Sequence, residues 1–296
     1  MSLLDRQISS KGAYKLKERK KGDKIPIVSD TMFQTMINNE ERKKYASYLI
    51  ALSLNKSYDQ VYESIIFVNN KMENEKEIEK RRTVDFVCKI DNEIIGIEMN
   101  NNDSKTMLER NISYAADLYK SKMLKGKVYE YQKVVQININ NFTFEGNENT
   151  VETYSLKNES KEELTDKIKF IHIYLPNIRK KDYNEINKLE QLLLVFNEDK
   201  ETSKMIAKGD EIMEEYIEES IDASEDDEII GLYDKELHLE KLRLSDIEEA
   251  KEEGLKQGIE QSNIKIINNM LDKGLDIDTI SRYIGISKEE IEKLIN

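Results

Sequence analysis

In the stretch TVDFVCKIDNEIIGIEMNNND, residues 83–103, two apolar-rich runs flank a turn at Asp91-Asn92. Side chains alternate along a strand, so Glu98 and Asn100 share one face while Ile97 and Met99 share the other. Asp85 and Val87 share a face of the preceding run, and a turn at Asp91-Asn92 sets Asp85 across from the Glu98–Asn100 segment. Two carboxylates converging in a half-buried hairpin cannot both stay charged without compensation. A hard divalent cation such as Mg²⁺ supplies it, with oxygen ligands from Asp85, Glu98 and water. An ion there would polarise a phosphate and acidify water for in-line attack. The plain alternative is a pair of solvent-facing acids on an edge hairpin.

Positioning such a hairpin takes a sheet with helical cover. SDTMFQTMINNEERKKYASYLIALSL reads as helices: Ser29 is an N-cap, Phe33, Met36 and Ile37 share a face, and Tyr45, Tyr48, Leu49 and Leu52 recur at helical spacing. YESIIFVNN reads as a strand, and KMENEKEIEKRR as a charged helix or loop leading into the hairpin. KTMLERNISYAADLYKSKML predicts an amphipathic helix, with Leu108, Ile112, Ala115, Tyr119 and Met123 along one side and Gly126 as its stop. KVVQININNF and KIKFIHIYLP, the latter closed by Pro176, read as strands, and YNEINKLEQLLLVFN as helical. This order predicts an α/β domain with a mixed sheet core flanked by helices. Beyond residue 200 the chain is Glu/Lys-rich and predicted all-helical, ending in a two-helix unit around Gly285. Three parts are expected: a basic arm over 1–26, the α/β domain over 27–200 and an acidic helical region over 201–296.

Composition narrows the function classes. Of 296 residues, 38% are apolar, enough for a sizeable core, and 35% are charged, which predicts a highly solvated surface. The lone Cys88 excludes an internal disulfide framework and a Cys-rich zinc site. No apolar run approaches the ~20 residues that span a bilayer, and the N-terminus lacks the apolar core of a signal peptide. A soluble cytoplasmic protein is expected, with no membrane partner. The net charge of −13 argues against broad electrostatic capture of nucleic acid. Yet Lys15, Lys17, Arg19, Lys20, Lys21 and Lys24 cluster near the start, while residues 209–230 contain no Lys or Arg. Local phosphate contact by the arm and a solvated face for the acidic stretch both fit.

Asp85 followed by Glu98-Met99-Asn100 resembles the D…(D/E)xK motif of restriction-endonuclease-like phosphodiesterases. The ordered set resembles the PD-(D/E)XK nuclease family transposases, the Rpn-like recombination-promoting nucleases. It comprises Asp30-Thr31-Met32-Phe33, Asp85, IEMN at 97–100, Arg110, Tyr114, Gly126, Tyr129 and VVQINI, with EEGLKQGIEQ and LDIDTISRYIGISKEEIEKL in the tail. The resemblance implies a restriction-endonuclease-like fold and a DNA endonuclease dependent on Mg²⁺ or another divalent cation. Asp85 and Glu98 would bind the metal, and Asn100 would complete the catalytic set by orienting the water. Arg110, Tyr114 and Asp30 would contact phosphate or support the ligands. One position departs from the pattern: Asn100 stands where the superfamily has Lys and this family usually has Gln. An amide orients by hydrogen bonds but brings no charge. A catalytically weakened relative that binds DNA or protein is therefore the rival expectation.

Other readings stay open. Arg110 and Tyr114, at i and i+4, also fit a surface helix pair, and Asp30 fits helix N-terminal charge stabilisation. His172 alternates with apolar residues and reads as a core or strand-face histidine. The terminal helices allow DNA reading. The Glu content of SKEEIEKLIN and the apolar set Ile280, Tyr283, Ile284, Ile286, Ile291, Leu294 and Ile295 favour assembly of a homo-oligomer instead.

Overall fold

The computed structural model describes residues 8–9, 15–68, 84–101, 106–120 and 132–295. The charged stretch 71–82, and Gly126 and Tyr129 of the motif set, lie outside the described residues, as does most of the arm before Lys15. The strands are β1 (Ile8–Ser9), β2 (Ile66–Phe67), β3 (Phe86–Ile90), β4 (Glu93–Asn100), β5 (Lys133–Asn140), β6 (Thr143–Phe144), β7 (Val151–Lys157) and β8 (Glu163–Tyr174). Six form a mixed sheet in the order β2-β3-β4-β5-β8-β7, while β1 and β6 pair separately. A two-residue turn joins β3 to β4, with Asp91 at φ 52°, a region that Asp tolerates. Strands β4 and β5 are parallel, so a crossover must join them, and it contains α4 (Met107–Lys120).

The two faces of the sheet differ. Ile95, Ile97, Met99, Val135, Ile137, Ile139, Ile171 and Ile173 enter the main core. They meet α1 (Asp30–Met36), α2 (Lys43–Leu54), α5 (Leu175–Ile178), α6 (Lys188–Leu194) and α8 (Glu211–Ala223), whose Phe33, Leu49, Ile178, Leu192 and Tyr216 are buried there. On the other face α4 packs Tyr114, Ala115 and Leu118 on Val87, Ile94 and Val134. At Gly96 the side chains of Gln136 on β5 and Leu118 on α4 fill the space that a Cβ would take. A Cβ there would lie 2.4 Å from Gln136 Oε1 and 3.0 Å from Leu118 Cδ1.

Ser29 caps α1 as its type predicts, accepting from the Met32 N–H. Other local expectations change. Among the described residues of YESIIFVNN, only Ile66–Phe67 is strand, because α3 (Tyr58–Ser64) continues through Ser64. Its helical spacing sets Val61 into the core and Tyr58 edge-on to Tyr48, ring centroids 6.0 Å apart. Strand β7 escapes the apolar pattern because it is a half-exposed edge strand.

The chain forms two compact units, Met1–Leu237 and His238–Asn296. Helix α7 (Lys200–Ala207) buries Ile206, and α8 buries Met213, Tyr216 and Ile217, so the acidic stretch is a core helix with a charged outer face. The arm is partly built in as well. Lys24 Nζ donates to the Val195 carbonyl (2.5 Å) and to Ser203 Oγ (3.1 Å), and burial lowers its pKa to about 7. In the second unit, the end of α9 (Asp227–Asp272) joins α10 (Ile277–Ile284) and α11 (Lys288–Ile295). Ile267, Ile280 and Ile291 form its core, and Gly285 turns the chain at φ 72°. Ile280 and Ile291 therefore cover one another within the chain instead of facing a second copy.

Tyr216→Ala is expected to cost ~3–5 kcal/mol, the range for deleting a buried aromatic ring. Urea unfolding at neutral pH measures it. A loss under ~1 kcal/mol would show that α8 is dispensable to this core.

Candidate active site

The hairpin register sets Phe86 opposite Ile97 and thereby brings Asp85 to Glu98. Each carboxylate is held by the other strand's backbone. The Asp85 N–H donates to Glu98 Oε1 (3.1 Å), and the Met99 N–H donates to Asp85 Oδ2 (2.8 Å). Helix α1 and the residues just after it steady the same corner, because Gln34 Nε2 (3.0 Å) and Asn38 Nδ2 (3.1 Å) both donate to the Asp85 carbonyl. Asp85 keeps part of its surface exposed, whereas Glu98 is only 4% exposed.

Burial dominates the electrostatics. It pushes Asp85 from the usual 3.8 up to about 6, with the Met99 N–H and Arg110 pulling the other way. Glu98 is raised well above the usual carboxylate range, first by burial and then by repulsion from Asp85. Arg110 and the Asp85 N–H offset part of this, and Asp30 adds repulsion. Raised in this way, the pair holds a proton to higher pH than free carboxylates do, and a bound cation would displace it. The donor set fits a hard divalent ion: two carboxylates, with Glu98 Oε2 accepting no hydrogen bond from a described residue. Among the described residues no group of three or more His, Cys, Asp and Glu forms a ready cage. Water and phosphate would complete the coordination, as Mg²⁺ generally requires.

Asn100 lies beside the pair and is 1% exposed. Its Oδ1 accepts from the Arg110 guanidinium (2.9 Å), and its Nδ2 donates to Asn140 Oδ1 (3.1 Å). Arg110 is thus drawn from α4 toward the two carboxylates and is the cation they sense. Each end of the amide retains one further hydrogen-bonding position. Tyr114 packs into the apolar cluster under α4, with Arg110 Cζ 6.0 Å from its ring centroid. Asp30 sits in the first turn of α1, close enough to repel Glu98, and its N–H donates to Glu236 Oε1 (2.8 Å). Glu236 Oε2 also accepts from the Thr31 N–H (2.9 Å), a long-range helix cap that no local pattern announces. His172 is buried on β8, as its apolar neighbours suggest.

The structure therefore gathers Asp85, Glu98, Asn100 and Arg110, brings Asp30 within electrostatic reach, and gives Tyr114 a packing position. Sequence reading overlooked Gln34, Asn38, Asn140 and Glu236. Only Asn140 left a signal, the amide at every second position of QININ.

Because both folded-state pKa values are raised, the penalty is absent below the unfolded values near 4 and grows as pH rises from there, until it passes about 6 for Asp85 and the raised folded value for Glu98. Asp85→Asn and Glu98→Gln preserve the backbone hydrogen bonds and remove a charge. In EDTA, each should match the parent near pH 4 and exceed it by on the order of 1–3 kcal/mol at pH 8. Thermal unfolding across that range checks this. Variants less stable than the parent at pH 8 would mean that the pair is not frustrated.

Neither the curated proteins nor the solved structures gave a match to the chain. A sequence model of the PD-(D/E)XK nuclease family transposase matches residues 27–250, spanning the hairpin, α4 and the parallel strands that carry the site. A mixed sheet with flanking helices, two facing carboxylates at one hairpin, and a match over most of 296 residues agree: the chain belongs to the PD-(D/E)XK nuclease family transposases.

Proposed function

We propose that the protein is a divalent-metal-dependent DNA endonuclease of the recombination-promoting type. The observation that carries this reading is the Asp85–Glu98 pair, locked by reciprocal backbone hydrogen bonds with Arg110 tied beside it through Asn100. Asp85 and Glu98 hold the ion, for which Mg²⁺ is the natural occupant of a carboxylate site completed by water. When bound, such an ion supplies Lewis-acid polarisation of a phosphoryl oxygen and acidification of water. Arg110 supplies the positive charge that Lys provides at the Asn100 position elsewhere in the superfamily, and it faces the phosphate. Asn100 holds that guanidinium in place and uses its remaining hydrogen-bonding capacity to orient the nucleophilic water.

A binding protein with weakened catalysis is the second reading, favoured by the neutral amide at Asn100. The two separate in one assay: plasmid cleavage in Mg²⁺ or Mn²⁺ alongside DNA binding. The nuclease reading predicts cleavage that Asp85→Asn and Glu98→Gln reduce by at least ~10³-fold, and Arg110→Gln by ~10²-fold. DNA binding with no cleavage in either metal would favour the second reading.

Cutting both strands calls for two sites, and α9 offers a surface for self-association. Leu244, Leu255 and Ile266 recur every eleven residues, three helical turns, with Ile247 and Ile259 beside them. All five are exposed, Leu255 at 66%. We infer a homo-oligomer formed along this stripe. Light scattering should give a multiple of 34.7 kDa for the parent and a monomer for the Leu255→Glu, Ile259→Glu double variant, which then nicks more than it breaks duplexes. A monomeric parent would exclude the stripe as an interface.

A further inference from the structure

Behind Asn100, the α4-facing side of the sheet carries a row of fully buried polar groups: Gln136, Asn138 and Asn140 on β5, and His172 on β8. The opposite side of the same strands is isoleucine and valine. A buried polar row is unfavourable unless its members satisfy one another. Asn140 Oδ1 accepts from Asn100, while Asn140 Nδ2 faces the Asn138 carbonyl (3.2 Å) and His172 Nδ1 (3.5 Å). His172 Nε2 faces Asn138 Nδ2 (3.3 Å), and Gln136 Nε2 faces Asn138 Oδ1 (3.5 Å).

Both imidazole nitrogens thus face amide nitrogens, yet a neutral imidazole accepts at one nitrogen and donates at the other. One amide must present its oxygen instead. Turning Asn140 would set its Nδ2 against Asn100 Nδ2. Asn100 would then have to turn as well and point an N–H at Arg110. Turning Asn138 disturbs neither. Gln136, whose Oε1 has no partner among the described residues, then turns to bring that oxygen onto Asn138, and its nitrogen takes the place the oxygen leaves. Donation then runs one way from Arg110 through Asn100, Asn140, His172 and Asn138 to Gln136. The imidazole is rigidly seated. It stacks on Tyr174 (6.3 Å, 25°) and meets Tyr154 edge-on (5.5 Å, 87°). Both tyrosine hydroxyls donate to Glu152 Oε2, at 3.0 and 2.7 Å.

We propose that Asn140 and His172 are positioning residues of the nuclease site: His172, protonated on Nε2, fixes the Asn140 amide, which fixes Asn100 with its oxygen toward Arg110. The role in cleavage rests on the function assigned to Arg110, whereas the hydrogen-bond polarity does not. Burial supports it by keeping the imidazole neutral, its pKa lowered to about 4.

Two readouts test the proposal. ¹⁵N NMR of the full chain at pH 7 should show the Nε2–H tautomer of His172 in the parent and the Nδ1–H tautomer in Asn140→Asp, where a carboxylate accepts from both neighbours. In plasmid cleavage, folded His172→Phe should lose kcat on the order of tenfold with KM unchanged. His172→Asn, which restores an acceptor for Asn140, should recover most of it. The Nδ1–H tautomer in the parent overturns the proposal, as does wild-type kcat in His172→Phe or no recovery in His172→Asn. A parent that cuts no DNA contradicts the function assigned to the site, and the tautomer pair then decides the polarity by itself.

Discussion

Two like charges set side by side in a partly dry hairpin corner are the constraint around which the rest is arranged. Repulsion and desolvation both act against the ionised pair, and the fold supplies only part of the compensation. Among the described residues, a backbone N–H goes to each carboxylate and the Arg110 guanidinium reaches them from α4. The remainder is a standing incentive to take up a cation. The pair cannot relax by moving apart, because the register that opposes Phe86 to Ile97 is set by the apolar residues on the far side of the same strands.

That coupling explains why the sheet has two unlike faces. The isoleucine face meets helices α1, α2, α6 and α8 and provides the stability against which strain at the site is held. The α4 face is apolar at one end, with Val87, Ile94 and Val134. Toward the carboxyl ends of β4 and β5 it turns polar, with Glu98, Asn100, Asn138 and Asn140. Gly96 marks the transition, where Gln136 of β5 and Leu118 of α4 occupy the space a Cβ would need. A helix seated so near the sheet can deliver Arg110 to Asn100 with little freedom, and a fixed charge stabilises a developing one without reorganisation.

Much of this was legible in the residues. Period-two alternation fixed the faces of β3 and β4, the Asp91-Asn92 turn fixed their register, and the two together placed Asp85 against Glu98. The amphipathic pattern located α4 but not all of its buried face, since Ile112 is exposed while Asn111, Tyr114 and Leu118 turn inward. What stayed hidden depended on partners distant in the chain. Glu236 caps α1 from 206 residues beyond Asp30. The charge of α8 masked a helix whose Met213, Tyr216 and Ile217 are core. Asn100 looked like a weakened catalytic residue, and its bond to Arg110 follows only once α4 is docked. Edge strand β7, half-exposed, lacked the alternation that reveals a strand.

Calorimetric titration of Mn²⁺ into the full-length protein at pH 6, repeated in buffers of different ionisation enthalpy, reports binding and proton exchange together. A carboxylate pair that retains a proton must release it to the buffer when the ion binds. The parent should therefore bind with net proton release, and Glu98→Gln should lose both the binding and the release. Binding that is unchanged in Glu98→Gln, or a parent that takes up no ion, would contradict the assignment of Asp85 and Glu98 as the metal site.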